Sequence, residues 1–423
     1  MASGAGRPRR ATGLMRPRVL ACCLLLVLTG CGGTEIKPPK PPGNETDARA
    51  VAASTLLQKL RHGLLDRHRA DVLGLAAPDQ ESRNAVAAIY GNAVSLRLSG
   101  IDFRYVDENQ GDLDQRVSAA YGDQAWSADV TATWRIPSYD PGETHVATRF
   151  TFVATRVGVR LASAGGGGER GALWLDGPLH IARSADTLVL VADGSSARYE
   201  QMAEQAVVDV RKVLHRWRGR LVLEVPGSEV ELESVLGAKA GEYAAIAAVT
   251  TTVDGTLVPG TPVHVFVNPK VFDGLGPRGS QVVLSHEATH VATDATFASM
   301  PTWLLEGFAD FVALAHSAVP VRTAAGQILK LVRQNGAPNH LPTAAELDPS
   351  ARALGATYEE AWTACRYLGK TYGEQKMVAF YDAVDNGSST QSAFHKVLGT
   401  SQSTFVRHWR KDLVGLAGGE SGF

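Results

Sequence analysis

His286-Glu287-Ala288-Thr289-His290 sits inside Val282–Thr293, a stretch of helical character without Pro or Gly. On a helix, positions i and i+4 share a face, so both imidazoles can reach one ion, while position i+1 sets Glu287 beside the ion rather than on it. The chemistry open to such a group is metal-assisted hydrolysis, in which the ion acidifies a bound water and Glu287 takes the proton. The alternative is a solvated helix carrying two ordinary histidines, and the pentad taken alone leaves it open.

Sixteen residues past His290 stands Glu306, within Pro301-Thr302-Trp303-Leu304-Leu305-Glu306-Gly307-Phe308-Ala309-Asp310. This segment resembles the second zinc helix of gluzincins, the thermolysin-like zinc metallopeptidases. A catalytic zinc takes three protein ligands and keeps a fourth position for water, and two His with one Glu is a recurrent set. The resemblance therefore implies zinc held by His286, His290 and Glu306, with Glu287 as general base. Asp310, one helical turn after Glu306, matches the acid that accepts the other ring N–H of a zinc histidine and so fixes its orientation. As plain surface acids Glu306 and Asp310 would need no such partner, but Trp303, Leu304, Leu305 and Phe308 point to a largely buried helix, where carboxylates do need one.

Thr357-Tyr358-Glu359-Glu360-Ala361-Trp362 resembles the tyrosine helix of alanyl aminopeptidases, which implies Tyr358 as an oxyanion donor; a packing or helix-surface aromatic is the competing reading. Tyr367, Tyr372 and Tyr381 follow at helical spacings as packing residues, and His264 and His395 read as structural or surface histidines. The gap from His290 to Glu306 is shorter than in thermolysin. No Gly-x-Met-Glu-Asn element precedes the pentad, so the resemblance implies an endopeptidase rather than an aminopeptidase. It covers roughly Asp186 to the C-terminus, with its strong part in Val282–Phe311.

The elements that must position these residues form an α+β chain. Residues 186–423 read as a mixed sheet followed by a helical half: strands at Thr187–Ala192, Leu221–Val225, Ala245–Thr251 and Val263–Val267, an amphipathic helix over Ala197–Trp217, and helical periodicity from Ser280 onward. Ser228 with Glu231 three residues on is a capping-box start. Residues 51–185 read as a separate domain, with helices from about Val51 and over Ser82–Ser95. Strands follow around Ile101–Tyr105, Ala125–Ile136, Thr148–Val159 and Ala172–Trp174. Helices first and a curved antiparallel sheet after resemble the cone-shaped SnoaL-like, nuclear-transport-factor-like fold. The run Gly165–Gly168 lacks the Lys-Ser/Thr of a phosphate loop and reads as a hairpin loop.

Residues 1–30 carry five arginines and no acid ahead of the apolar run Val19–Leu28, which is too short for a lasting membrane span and reads as an export signal. It ends in Leu28-Thr29-Gly30-Cys31, which resembles a bacterial lipobox. That implies lipidation of Cys31 and attachment to the outer face of the cell membrane, two acyl chains anchoring far better than one; ordinary secretory cleavage is the alternative. Residues 31–50, with Pro38, Pro39, Pro41 and Pro42, read as an extended tether. Without the signal, 37 basic residues face 43 acidic ones, a net charge of roughly −6 with no basic patch for nucleic acid. Nothing calls for nucleotide or flavin. Only Cys365 is then left unmodified, in the apolar stretch Ala361–Leu368, as a buried small hydrophobe rather than a nucleophile. Two rivals to the enzyme remain: a zinc-containing, non-catalytic surface lipoprotein that binds a ligand or protein, and a binding protein working through its N-terminal domain.

Overall fold

Helices lead and an antiparallel meander follows, as the periodicity of the first half requires. The computed structural model describes residues 45–109, 113–165, 170–348 and 351–419. The export signal, Cys31, most of the tether and Gly166–Gly168 lie outside the described residues. Helices Glu45–Leu65 and Gln80–Leu96 lay Leu56, Leu57, Leu60, Val86 and Ile89 into one core. Their sheet is β1 (Ser99–Asn109), β2 (Ala125–Arg135), β3 (Thr144–Thr155) and β4 (Gly158–Ala164), each antiparallel to the next and bent by register shifts.

Three readings of this half change. Residues 45–50 are helical rather than extended tether, because Arg49 is tied to Glu45 (2.8 Å) and Glu108 (3.0 Å) and lies over the Trp126 ring. Thr148–Val159 is two strands, not one. The chain reverses at Gly158, whose φ of +102° is costly for other residues, and Thr155 Oγ1 closes the turn by donating to the Gly158 carbonyl at 2.7 Å. Ala172–Trp174 runs into a helical turn, Leu173–Asp176; its three consecutive buried side chains cannot alternate as a strand's do.

The second sheet has the order β5 (His180–Arg183), β6 (Thr187–Val191), β7 (Leu221–Val225), β9 (Val263–Val267) and β8 (Ala248–Thr252); it begins before Asp186, at His180. The three central strands, β6, β7 and β9, are parallel; both edge strands are antiparallel. Its central strands, β6, β7 and β9, are buried on both faces. Leu188, Leu190, Val222 and Phe266 pack into the core of the first half, and Val189, Leu223, Val265 and Val267 pack into the helical half. Strand alternation thus joins two cores through one sheet, and Asn44–Phe423 coheres as one unit.

Helix Ser196–Val213 covers the second face, and Ser228 caps Glu229–Leu236 by accepting from Glu231 N at 3.1 Å while Glu231 Oε2 accepts from Gly227 N at 2.6 Å. Among the described residues no strand follows Val267. Gly276, at φ +69°, lets the chain turn out of Pro269–Gly274 into helix Gly276–Ala292, here the pentad helix. Helix Thr302–Ala315, the glutamate helix, packs beside it, and Leu354–Tyr372, the tyrosine helix, packs against the glutamate helix.

Candidate metal centre

The pentad helix turns Leu284 and Ala288 into the core and His286 and His290 toward the glutamate helix. That helix buries Trp303, Leu304 and Phe308, which leaves Glu306 and Asp310, four apart, on one common face. The result is a tight cluster: His286 Nε2 and His290 Nε2 lie 2.9 Å apart, and Glu306 Oε2 is 3.3 Å from the first and 3.5 Å from the second. Four ligand atoms at zinc–ligand bonds of about 2.0–2.1 Å in a tetrahedron are separated by about 3.3 Å. The three donors span nearly that triangle, so the residues present fit a tetrahedral metal with one corner left over. Among the described residues this is the one group of three such donors that converges.

Asp310 Oδ1 accepts from His286 Nδ1 at 2.8 Å, which fixes the tautomer that leaves Nε2 free to ligate. Burial pulls the His286 pKa down, but the Asp310 charge and hydrogen bond, with Glu306, outweigh it and hold it above the ordinary imidazole value. Burial would raise Glu306; its bonds to both histidines win and hold it well below the carboxylate range.

Glu287, only 8 % exposed, is not in the donor cluster. The Thr250 hydroxyl from β8 lies 2.7 Å from its Oε2 and 3.1 Å from its carbonyl oxygen. Thr250 had no signal in the sequence, because it sits on a different element, 37 residues earlier. Tyr358 is half-buried on the tyrosine helix. Burial first, then the charges of Glu306, Asp310 and Glu287, push its phenol far above the ordinary value, which puts it in the field of these acids. A largely apolar cavity of about 600 Å³ opens beside Asp310 and Tyr358, walled by Val282, Val283, Leu314 and Trp362, with Arg278 on its lining.

Gly307 holds the glutamate and tyrosine helices together: a Cβ there would lie 2.5 Å from the Ala361 carbonyl oxygen and 2.9 Å from Cys365 Sγ. Cys365 is free and fully buried, its thiol pushed up by burial. Tyr381 stacks on Phe308 at 4.2 Å and Tyr367 packs on Phe405 at 5.7 Å, while His395 is exposed. His264 is buried between Glu224 and Asp140, away from the cluster. Compared with known proteins, the chain matches no protein-family model and no curated sequence.

Proposed function

We propose that the chain is a zinc metallopeptidase of the gluzincin kind, an endopeptidase held at the outer face of the cell membrane by lipidated Cys31. The observation that carries the reading is the convergence of His286, His290 and Glu306 on one point with Glu287 beside it and Asp310 behind it. Two imidazoles and a carboxylate suit zinc, which when bound supplies a Lewis acid and brings a water's pKa towards neutrality. Thr250 engages Glu287 Oε2, so Oε1 is the atom that takes the water's proton and returns it to the leaving amine. Tyr358 donates its phenolic proton to the oxygen that gains charge as the carbonyl is attacked. The apolar cavity beside Tyr358 receives an apolar side chain of the peptide.

The element order supports the same assignment: helices then a bent meander fit a SnoaL-like N-terminal half, and a mixed sheet ahead of a helical half fits the peptidase half. No helix among the described residues is long and apolar enough to cross a membrane. Attachment therefore rests on the arginines, the apolar run and Cys31 of the N-terminus.

The test is metal analysis of protein purified without added metal, beside hydrolysis of casein and a peptide library. About one zinc per chain is expected, absent once His286 and His290 are both Ala. Glu287→Gln should keep zinc and fold but lose nearly all turnover, because an amide cannot take the proton. Full zinc in the double variant, or undiminished turnover in Glu287→Gln, would overturn the assignment. Zinc with no hydrolysis by the unaltered protein would favour the non-catalytic lipoprotein instead.

A further inference from the structure

The apolar cavity beside Tyr358 is lined by three charged residues, Arg278, Asp310 and Glu359, and only two of them are engaged. Asp310 is bound to His286 Nδ1 at 2.8 Å, and Glu359 accepts from Ile328 N at 2.8 Å and from Gln327 Nε2 at 3.2 Å. Arg278 has neither a carboxylate within 4.0 Å nor a hydrogen-bond acceptor among the described residues, and its side chain is exposed.

The pentad helix relates that free cation to the metal centre. Arg278, Val282 and His286 stand four apart and form one row along the helix. Two turns, about 12 Å along the axis, separate the guanidinium's residue from the histidine. Val282 lines the cavity between them, and Leu314, one turn past Asp310 on the glutamate helix, lines it too. Trp362, 5 % exposed, adds apolar wall, and Leu275, three residues before Arg278, lines the cavity with 44 % of its surface exposed. An apolar surface thus leads from Asp310 and Tyr358 to a cation with no counter-charge. A ligand that matches it is apolar near the metal and anionic farther out.

We propose that Arg278 is a specificity residue, which pairs with a substrate carboxylate about three residues from the bond that is cut, while the cavity takes an apolar side chain between them. The spacing follows because extended chain advances about 3.3 Å per residue, so about 12 Å is three to four residues. The inference rests on the metallopeptidase reading. The carboxylate is that of an Asp or Glu side chain or of the peptide's own end, since a guanidinium pairs with either by the same forked hydrogen bonds.

The experiment separates affinity from turnover. Affinity is measured by calorimetry on the full chain in detergent carrying Glu287→Gln, so that bound peptide persists. The probes are acetyl-Ala-Ala-Leu-Ala-Glu-amide and acetyl-Glu-Ala-Leu-Ala-Ala-amide, which set the carboxylate on either side of the leucine, each beside its Gln counterpart. One of the Glu peptides should bind about three- to tenfold tighter than its counterpart, as a charge-assisted pair at a partly solvated rim provides. Adding Arg278→Gln should erase that preference, and Arg278→Glu should turn it towards the Lys counterpart. Acetyl-Ala-Ala-Leu-Ala-Gln with a free carboxylate identifies the source: binding as tight as the Glu amide marks a chain end, and weaker binding an internal acid; both uphold the site. Equal affinity for Glu and Gln peptides, no saturable binding, or a preference that survives Arg278→Gln would overturn the proposal. Cleavage of the same peptides by the unaltered chain is followed by mass spectrometry. An Arg278-dependent preference without cleavage would leave the carboxylate site standing and sink the peptidase reading, whereas cleavage without the preference would do the reverse.

Discussion

Tyr358 and Thr250 border the same carboxylates from different elements, and they differ in what each can do there. Thr250 already donates to Glu287, so it fixes the orientation of that carboxylate. The Tyr358 hydroxyl makes no hydrogen bond to another described residue, and burial together with Glu306, Asp310 and Glu287 keeps it protonated. A phenol held that way is a donor waiting for an acceptor. If it serves the oxyanion it acts in the transition state, so Tyr358→Phe should lower kcat and kcat/KM together by about 10²–10³ while zinc content stays unchanged. A loss below about threefold, well short of that range, would return Tyr358 to packing. His286, Glu287 and His290 were legible because i, i+1 and i+4 on a helix already contain their geometry. Asp310 was expected from the resemblance to the gluzincin glutamate helix, which carries an acid one turn beyond Glu306; its bond to His286 crosses between two helices and is not contained in the spacing of either. Thr250 was not: a contact between an edge strand and a helix leaves no local spacing to read.

At the scale of elements, the donor triangle depends on how closely two helices approach. Gly307 follows Glu306 directly, and its missing Cβ is what admits the Ala361 carbonyl. Helix propensity alone makes Gly→Ala favourable by about 0.8–1.0 kcal/mol. Packing predicts the opposite sign here, because a Cβ 2.5 Å from a backbone oxygen forces the helices apart. Gly307→Ala should destabilise by about 1–3 kcal/mol in denaturant titration and weaken zinc binding in a chelator competition, as Glu306 moves with its helix. A stabilised variant would mean the helices adjust without cost. The strands Leu221–Val225 and Val263–Val267 were legible to the residue, each being a short apolar run closed by Pro226 or by Asn268-Pro269. The β3–β4 turn was hidden because Val157 and Val159 continue the apolar pattern through it, and only the backbone of Gly158 reveals the reversal.

The whole molecule is organised around a sheet with two buried faces, and on the face toward the N-terminal half a charged group is sealed in. His264 on β9, 2 % exposed, is 2.6 Å from Glu224 Oε1 on β7 and 3.0 Å from Asp140 Oδ1 in the connection between β2 and β3. Asp140 also accepts from Ile136 N at 2.8 Å, so the imidazole bridges the meander to the sheet whose edge strand carries Thr250. Burial pulls the His264 pKa down, yet the two carboxylates outweigh it and push it up to about 9 from an ordinary 6.5. A pKa raised in the folded state means folding takes up the proton. The stabilisation is therefore complete below pH 6.5 and disappears as pH rises through 9. The shift corresponds to about 3 kcal/mol, fully lost once the imidazole is neutral in both states. Arg170 bonds the Thr252 and Val253 carbonyls and attracts Glu224, its own pKa drawn below the ordinary value by burial. Denaturant titrations at pH 6 to 10 should show that decline in the unaltered protein. In His264→Gln it should be absent, because no proton is left to release, with stability already lower by about 3–5 kcal/mol from two buried carboxylates without their cation. Parallel declines in both proteins would mean that His264 is neutral between its carboxylates.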